Sequence, residues 1–479
     1  MYIIGIEPSL PKPHYLSNLH LIRTGLLGLL TNERNRGHQV RAYMEEVKTI
    51  RWSELRGEVE KADLVAISTI SATQPRGDYF ASLCKEMGKL VVMGGPHVTF
   101  CPPEESLRFA VFVIRYEGEL SFPLFIEALE GKRGLNEVPN LVYKAKSGEV
   151  IQTSIPPIIP DFNFDDVPFP DFSLIVGWKR SYVTPIETSR GCPFRCKFCC
   201  VYKMFPKLRF RSPEVVVEEM KRLNSEFVFF TDDNFCANTE RSKGILSLIL
   251  MKLDRNPRWG AQVRKEVGKD WDFLRLARRT NCTILCIGFE SFNPAALEEM
   301  NKRQTVEDIK ESIAGFKKAG LLKVVHGSFV VGFDSDTTET ARINVDEARK
   351  IGIPSIQMWI LTPLIGTDLA ILLKDRLLSQ NPGDYDGTKA VFAPAQMTAE
   401  ELQKSVFKGM KRFYSIKNRL LALLRGVKSL IQHYAADIKN TKNLWKEKFR
   451  ELGLSWYGRR IVETVEKRAK QYLKGIRKN

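Results

Sequence analysis

The sequence predicts an α/β protein in three parts: an N-terminal doubly wound, Rossmann-like domain, a partial (β/α)6 TIM-like barrel and a helical C-terminal domain. Three observations predict it. Short apolar, β-branched runs alternate with amphipathic stretches from the first residue onward, which is the βαβ rhythm of a parallel sheet. A proline-rich segment interrupts this rhythm, and six more strand–helix units follow it. After Pro394 the strand-like runs stop and helical, basic sequence takes over.

The first domain is expected over residues 1–150. Its strands are Tyr2 to Ile6, Gln39 to Tyr43, Leu64 to Ser68, Leu90 to Met93 and Val111 to Ile114. Amphipathic helices are expected at Asn18 to Asn35, with Gly37 as C-cap, and at Gly77 to Met87. Helix Ser121 to Leu129 closes the unit, and Leu141 to Gln152, broken by Ser147-Gly148, reads as an appended hairpin. Residues 151–181 contain Ile155-Pro-Pro-Ile-Ile-Pro160 and Val167-Pro-Phe-Pro170; five prolines with little periodicity predict an inter-domain linker. The barrel is expected over residues 182–394, with strands Val183 to Thr188, Phe227 to Thr231, Trp259 to Val263, Thr283 to Phe289, Val324 to Val331 and Ser355 to Thr362. Reactive residues belong at the carboxyl ends of such strands. The C-terminal domain is expected over residues 395–479, opened by a capping box of Thr398 with Glu401.

The chain has 479 residues, 43% hydrophobic and 27% charged, which suits about three domains at roughly 150 residues each and excludes disorder as the dominant state. Lys and Arg number 73 against 56 Asp and Glu, a net charge of +17. From Glu401 to Asn479 there are 21 Lys and Arg against 6 Asp and Glu, so this region carries +15 and everything before it +2. One basic appendage on a nearly neutral body points to a local docking face rather than to general nucleic-acid affinity. No apolar run approaches the roughly 18 to 20 residues of a transmembrane helix. The opening Met-Tyr-Ile-Ile-Gly-Ile reads as a strand and not as a secretion signal, so a cytoplasmic, reducing location is expected. Nine cysteines, four of them at Cys192, Cys196, Cys199 and Cys200, suit metal ligation better than a disulfide framework.

Arg190-Gly-Cys192-Pro-Phe-Arg-Cys196-Lys-Phe-Cys199 spaces three cysteines C-x3-C-x2-C just after a strand. Soft thiolates at this spacing on one loop can wrap an iron–sulfur cluster. Three ligands for a four-iron cluster leave one iron open to a substrate or cofactor. Zinc and a set of core cysteines are the plainer alternatives, but zinc usually takes four side chains. Adjacent side chains diverge, so Cys200 is expected to be structural and not a fourth ligand.

This cysteine pattern, with an aromatic residue before the last cysteine and the first strand of a six-unit barrel before it, resembles the radical S-adenosylmethionine (AdoMet) superfamily. Glu187-Thr-Ser-Arg-Gly191, Thr231-Asp-Asp-Asn-Phe235, Gly288-Phe-Glu-Ser291 and Leu361-Thr-Pro-Leu-Ile-Gly-Thr367 narrow the resemblance to the branch with an N-terminal cobalamin-binding-like domain. It runs from about residue 60 to about residue 415. In the last of these motifs, Ile365 stands where a proline is expected.

The resemblance implies that Cys192, Cys196 and Cys199 hold a [4Fe–4S] cluster whose open iron binds the amino and carboxylate groups of AdoMet, with Phe198 near the adenine. Cleavage of AdoMet there would yield a 5′-deoxyadenosyl radical able to take hydrogen from an unactivated carbon. Asp232 and Asp233 end the second strand, where the family meets the AdoMet amino group. Their departure from the usual Gly-Gly-Glu leaves open which faces inward, and an ordinary helix N-cap is the other reading. Gln262 and Arg264 end the third strand and could contact the methionine carboxylate. Glu290 and Ser291 end the fourth, with ribose or ammonium contacts implied, since a carboxylate on a buried strand is costly unless it faces a polar cavity. On the fifth, Gly327 to Asp334 is similar to a motif whose backbone passes the adenine, at Gly332. His326 could act as acid or base, although a lone histidine on an apolar strand is more often a core residue. No catalytic acid or base is assigned.

In the first domain, Val91-Val-Met-Gly94-Gly95-Pro96-His97-Val98 and Tyr116-Glu-Gly-Glu119 resemble the cobalamin-like domain of this branch. Gly94 and Gly95 would line a crevice at the carboxyl edge of the sheet, with His97 a weaker contact. The Asp-x-His-x-x-Gly motif that supplies an axial histidine in many cobalamin proteins is absent. With a corrinoid, the implied reaction is C-methylation of a lipid or other hydrophobic substrate. Without one, it is radical C–C bond formation or cyclisation of a membrane lipid. RNA modification and a non-catalytic iron–sulfur or corrinoid redox sensor are further alternatives. An electron donor such as ferredoxin or flavodoxin is implied as a partner. In the tail, Lys411-Arg-Phe-Tyr414, Arg419 to Arg425 and Trp445 to Arg450 combine cations with apolar and aromatic residues. Such a stripe could lie peripherally on the inner membrane face, hold RNA, or be a solvated basic face. The relation to enzymes of hopanoids and archaeal lipids favours the membrane over nucleic acid.

Overall fold

Neighbouring residues of the first strands are buried on both sides of the chain, and the sheet they form explains why. In the computed structural model, residues 1–10, 21–155, 159–179, 183–415, 463, 466, 467 and 471 are described. Ile3 and Ile4, Leu64 and Val65, and Val91 and Val92 are adjacent in sequence yet belong to two separate apolar cores. Alternating side chains can fill two cores only if both faces of the sheet are covered.

The strands are β1 (Tyr2–Glu7), β2 (Gln39–Met44), β3 (Leu64–Ser68), β4 (Leu90–Gly94), β5 (Phe112–Ile114), β6 (Leu141–Lys144) and β7 (Val150–Gln152). They form one seven-stranded sheet in the order β2-β1-β3-β4-β5-β6-β7. β1 to β5 are parallel, and the β6–β7 hairpin adds antiparallel to β5. The first helix spans Gly25–Asn35; of its expected earlier residues, 18–20 lie outside the described residues.

The proline-rich stretch is more than a tether. Its described part makes short turns at Phe164–Asp166 and Phe172–Leu174, bridges Ile175 to Ala42 of β2 and pairs Asp171 with Arg34. Arg211 of the following part donates to the carbonyls of Phe164 and Val167 at 2.8 and 2.7 Å. The segment is thus fastened at both ends.

The second sheet contains β8 (Thr184–Ile186), then, past the two-stranded pair β9 (Ser189–Arg190) and β10 (Arg209–Phe210), β11 (Phe227–Phe230), β12 (Arg258–Val263), β13 (Cys282–Glu290), β14 (Val325–Val331) and β15 (Ser355–Ile360). Its six strands lie in sequence order from β8 to β15, all parallel. Helices alternate with them, so this is the expected partial barrel.

Helix Ala399–Phe413 begins at the expected Thr398–Glu401 capping box. It packs on helix Thr340–Ile351, where Arg412 meets Asp346 at 2.8 Å. Just after it, the Tyr414 hydroxyl accepts from the Ile356 N–H at 3.1 Å and donates to its carbonyl at 2.7 Å, covering the free edge of β15. The basic stretches 419–425 and 445–450 lie outside the described residues. No helix among the described residues is long and apolar enough to cross a membrane.

The two sheets face each other through segments that follow the carboxyl ends of their strands. Phe100, past β4, packs so closely on Gly366, past β15, that a Cβ there would lie 2.3 Å from its ring. Pro75, past β3, meets Gly383 in the same way, with 3.1 Å to an added Cβ. Arg190 reaches from the barrel to Glu117 and Glu119, past β5.

Candidate active site

The cysteine loop leaves β9 at Gly191, whose φ of 95° and close approach to the Phe205 and Lys207 carbonyls suit glycine alone. Cys192, Cys196 and Cys199 follow on this one loop, with a turn closed by the Cys199 N–H on the Cys196 carbonyl at 3.0 Å. Neighbouring elements clamp it. The Lys197 N–H donates to Met300 at 3.1 Å, and the Lys197 carbonyl accepts from Leu369 at 2.9 Å. Asn301 donates to the Arg195 carbonyl at 3.0 Å. All nine cysteines are free thiols. Burial pushes the Cys199 thiol up to about 12 and raises Cys192 and Cys200 as well. A thiolate there needs a cation, and the soft donors on one loop fit an iron–sulfur cluster. Among the described residues no three His, Cys, Asp or Glu side chains converge as on a single metal ion; a four-iron cluster instead spreads its thiolates over separate corners. Cys200 is the N-cap position of the turn Val201–Met204, and its carbonyl accepts from Lys203 and Met204.

The strand ends surround this loop. Asp232 is buried and accepts four hydrogen bonds, from the Thr188 N–H and hydroxyl at 2.6 and 2.5 Å and from those of Ser189 at 3.0 and 2.7 Å. It is an anchor for the chain leading into the cysteine loop. Asp233 is accessible and is held by the Gly191 backbone at the start of the cysteine loop, yet desolvation, then Glu187 and Asp232, push its carboxyl up to about 6. Gln262 is likewise accessible, whereas Arg264 is buried, stacked 3.6 Å over the Phe194 ring and donating to the Lys302 carbonyl at 2.8 Å. Arg264 therefore steadies the cysteine loop.

At the end of β13 a register shift precedes Glu290, which has a φ of 63° and meets Lys302 at 2.7 Å, both side chains 8% exposed. The Lys302 ammonium lies 5.9 Å from the Phe198 ring, and Phe198 meets Phe333 edge-on at 6.4 Å. So the aromatic residue between the cysteines, Glu290 and the turn after Gly332 come together. Ser291 is fully buried, 3.5 Å from Asn344, and accepts from the Asn293 N–H at 3.0 Å, a local structural use. Gly332 has a φ of 132°, packs against Leu361 and Leu402, and donates its N–H to Asp336 at 2.9 Å. His326 bonds Ser355 at 3.0 Å, and burial lowers its basicity.

In the first domain, a Cβ on Gly95 would lie 2.5 Å from the Thr69 carbonyl, so packing against β3 requires this glycine. Gly94 is less confined: an added Cβ would make an ordinary contact with the Ile114 carbonyl at 3.5 Å. Glycine at both positions keeps this carboxyl edge free of side chains, which suits a flat ligand. His97 turns inward, 6% exposed and 3.2 Å from the Ser71 hydroxyl, and burial pushes it down to about 4. It does not offer a ligand to the edge.

Sequence reasoning missed Arg190, Arg209, Glu117 and Glu119 as a group. Arg190 meets Glu117 at 2.9 Å, Glu119 at 2.6 Å and Glu187 at 2.8 Å, and Arg209 meets Glu117 at 2.5 Å. Arg190, Glu117 and Glu119 each stand in a motif the sequence singles out, but nothing in the sequence pairs them.

A partial barrel bearing a three-cysteine loop at its carboxyl edge, faced by a doubly wound domain, defines the class. A sequence model of the radical SAM superfamily matches residues 186–343. The chain is 31% identical over 393 residues to an uncharacterized methyltransferase of Pyrococcus horikoshii, covering 79% of this chain and 83% of that protein. It is 28% identical over 360 residues to the bacteriochlorophyllide d C-12(1)-methyltransferase of Chlorobaculum tepidum, covering 74% and 75%. Among solved structures, the radical AdoMet methyltransferase TsrM from Kitasatospora setae, with cobalamin and a [4Fe–4S] cluster bound, aligns over 84% of each chain at a TM-score of 0.66 and 16% identity, a likeness of fold. The chain belongs to the radical SAM superfamily and is an enzyme of its methyltransferase type.

Proposed function

We propose that this enzyme is a cobalamin-dependent C-methyltransferase acting on an unactivated carbon of a lipid or other hydrophobic substrate. The observation that carries this reading is the facing of two carboxyl edges, one with the cysteine loop and one with the side-chain-free Gly94-Gly95 turn. In this reading residues 1–150 carry the corrinoid, 182–394 the radical chemistry and 395–479 a basic region that holds the enzyme at an anionic membrane face. Cys192, Cys196 and Cys199 hold the cluster. Asp233 and Gln262, the accessible strand-end polar residues, receive the ammonium and carboxylate of AdoMet, with Phe198 at the adenine. When bound, these groups supply a carbon radical that takes hydrogen and a corrinoid that supplies methyl. The chain itself orients them: Asp232 anchors the approach to the loop, Arg264 braces it, and the Glu290–Lys302 pair fixes the wall beside Phe198. The relative named for bacteriochlorophyllide supports a large substrate with apolar character.

The test is anaerobic reconstitution with iron and sulfide, followed by dithionite and AdoMet, measuring 5′-deoxyadenosine and bound corrinoid. Cleavage with stoichiometric corrinoid is the expected result. Cleavage with no corrinoid bound would turn the reading to radical C–C bond formation or cyclisation. An intact cluster that never cleaves AdoMet, even with candidate substrates, would overturn the enzyme assignment.

A further inference from the structure

The short helix Asp368–Leu372 sits directly on the cysteine loop, its Leu369 N–H donating to the Lys197 carbonyl at 2.9 Å between Cys196 and Cys199. It is fastened there a second time. Asp368 accepts from the Tyr202 hydroxyl at 2.8 Å and from Lys203 at 2.6 Å, just past the last cysteine. Yet its tip faces water: Ile371 is 67% exposed and Leu372 63%. Two adjacent large aliphatic side chains left this open are costly on a surface with no partner.

The surroundings are basic. Arg195 is exposed on the cysteine loop, Lys197 lies beside the helix through its carbonyl's bond to Leu369, and Lys374 is exposed two positions past Leu372. Asp368 is occupied by Lys203 and Tyr202, which leaves Asp375 as the other acid of the segment. An apolar tip within a cationic rim is the complement of an acidic protein surface with an apolar centre. Its position adds the chemistry: a single loop separates it from the three thiols, and one-electron transfer through protein falls steeply with distance.

We infer that the Ile371–Leu372 tip with Arg195, Lys197 and Lys374 is the docking surface for an acidic one-electron carrier protein that reduces the cluster. This rests on the radical AdoMet reading. The carrier gives one electron and is itself oxidised by one, with no atom transferred, and its net negative charge is steered by the rim.

The test compares the full-length chain with Ile371→Asp, Lys374→Glu and, as a control on helix Thr239–Lys252, Met251→Asp, at a residue that is 71% exposed. The probe is an acidic ferredoxin. Its binding is read by fluorescence anisotropy at low and high salt, and its support of 5′-deoxyadenosine formation is read against dithionite. Ile371→Asp and Lys374→Glu should each weaken ferredoxin binding about tenfold at low salt, raise the half-saturating ferredoxin concentration in parallel, and leave dithionite-driven cleavage and iron content unchanged. Wild-type binding should weaken with salt, and Met251→Asp should behave as wild type. Unchanged ferredoxin binding in both docking variants would overturn the inference, as would an Ile371→Asp effect confined to self-association in sedimentation or to vesicle binding. Failure of dithionite to drive cleavage would sink the radical reading instead, and the anisotropy would still decide the surface.

Discussion

The guanidinium of Arg190 lies 2.6 Å from Glu119, joining the start of the cysteine loop to the facing domain across 71 positions of sequence. Burial alone would raise the Glu119 carboxyl, but Arg190 outweighs it and holds it below its ordinary value. Glu117 is 2% exposed and shared between Arg190 and Arg209. Breaking a buried ion pair by removing one partner leaves the other charge stranded. Glu117→Ala should therefore cost about 3 to 5 kcal/mol in denaturant unfolding and lower the iron retained per chain. An unchanged midpoint with full iron content would show that the clasp does not hold the loop.

The two aspartates after β11 should separate cleanly. Asp232→Asn replaces an acceptor by a donor facing Thr188 and Ser189, and should cost about 2 to 3 kcal/mol by thermal or denaturant unfolding. Asp233→Asn removes a carboxyl that desolvation pushes up to about 6, so it should cost no stability at pH 7 while weakening AdoMet binding about tenfold by calorimetry. The reverse pattern would exchange their roles.

Replacing Cys192, Cys196 or Cys199 by Ala should abolish the visible absorbance of the reconstituted cluster, whereas Cys200→Ala should keep it. The carbonyl of Cys200, not its sulfur, makes the bonds that start the turn Val201–Met204. Loss of the cluster in Cys200→Ala with retention in Cys192→Ala would redraw the ligand set.

Much of this fold was legible because the central strands of both sheets are parallel and buried, which writes each of them as an apolar run. Val325–Val331, against an expected Val324 to Val331, is typical. The cysteine motif was legible because its members share one loop. Side-chain environment past a strand end was not: Asp232 is buried under four hydrogen bonds while its neighbour Asp233 is accessible. Nor were long-range charge partners. Tyr116-Glu-Gly-Glu119 drew attention as a crevice motif, yet Glu117 and Glu119 neutralise Arg190 and Arg209, more than 70 positions away. Glu290 drew attention as a costly buried carboxylate, and the structure answers that cost with Lys302. The linker was read from its prolines alone, which carry no sign of the Ile175–Ala42 bridge.

Glu7, at the carboxyl end of β1, offers a pH test of the crevice edge. It is 3% exposed, and one carboxylate oxygen has no hydrogen-bond partner. Desolvation pushes its carboxyl from the ordinary 4.5 up to about 7, against the opposing pull of Arg23. The folded state then holds the proton over a pH range in which the unfolded state has released it. Stability from this group is unaffected below about pH 4.5, declines as pH rises toward 7, and stays reduced above it. Glu7→Gln keeps the neutral form at every pH. Its advantage over wild type should be near zero at pH 4 and grow to at most about 3 kcal/mol at pH 8, read as the difference between paired denaturant titrations. Because Glu33 is shifted in the same direction, the difference between the two proteins isolates Glu7 where the wild-type profile alone would not. Parallel pH profiles for the two proteins would mean that Glu7 is ionised in the folded domain and finds its counter-charge at Arg23, 3.5 Å away.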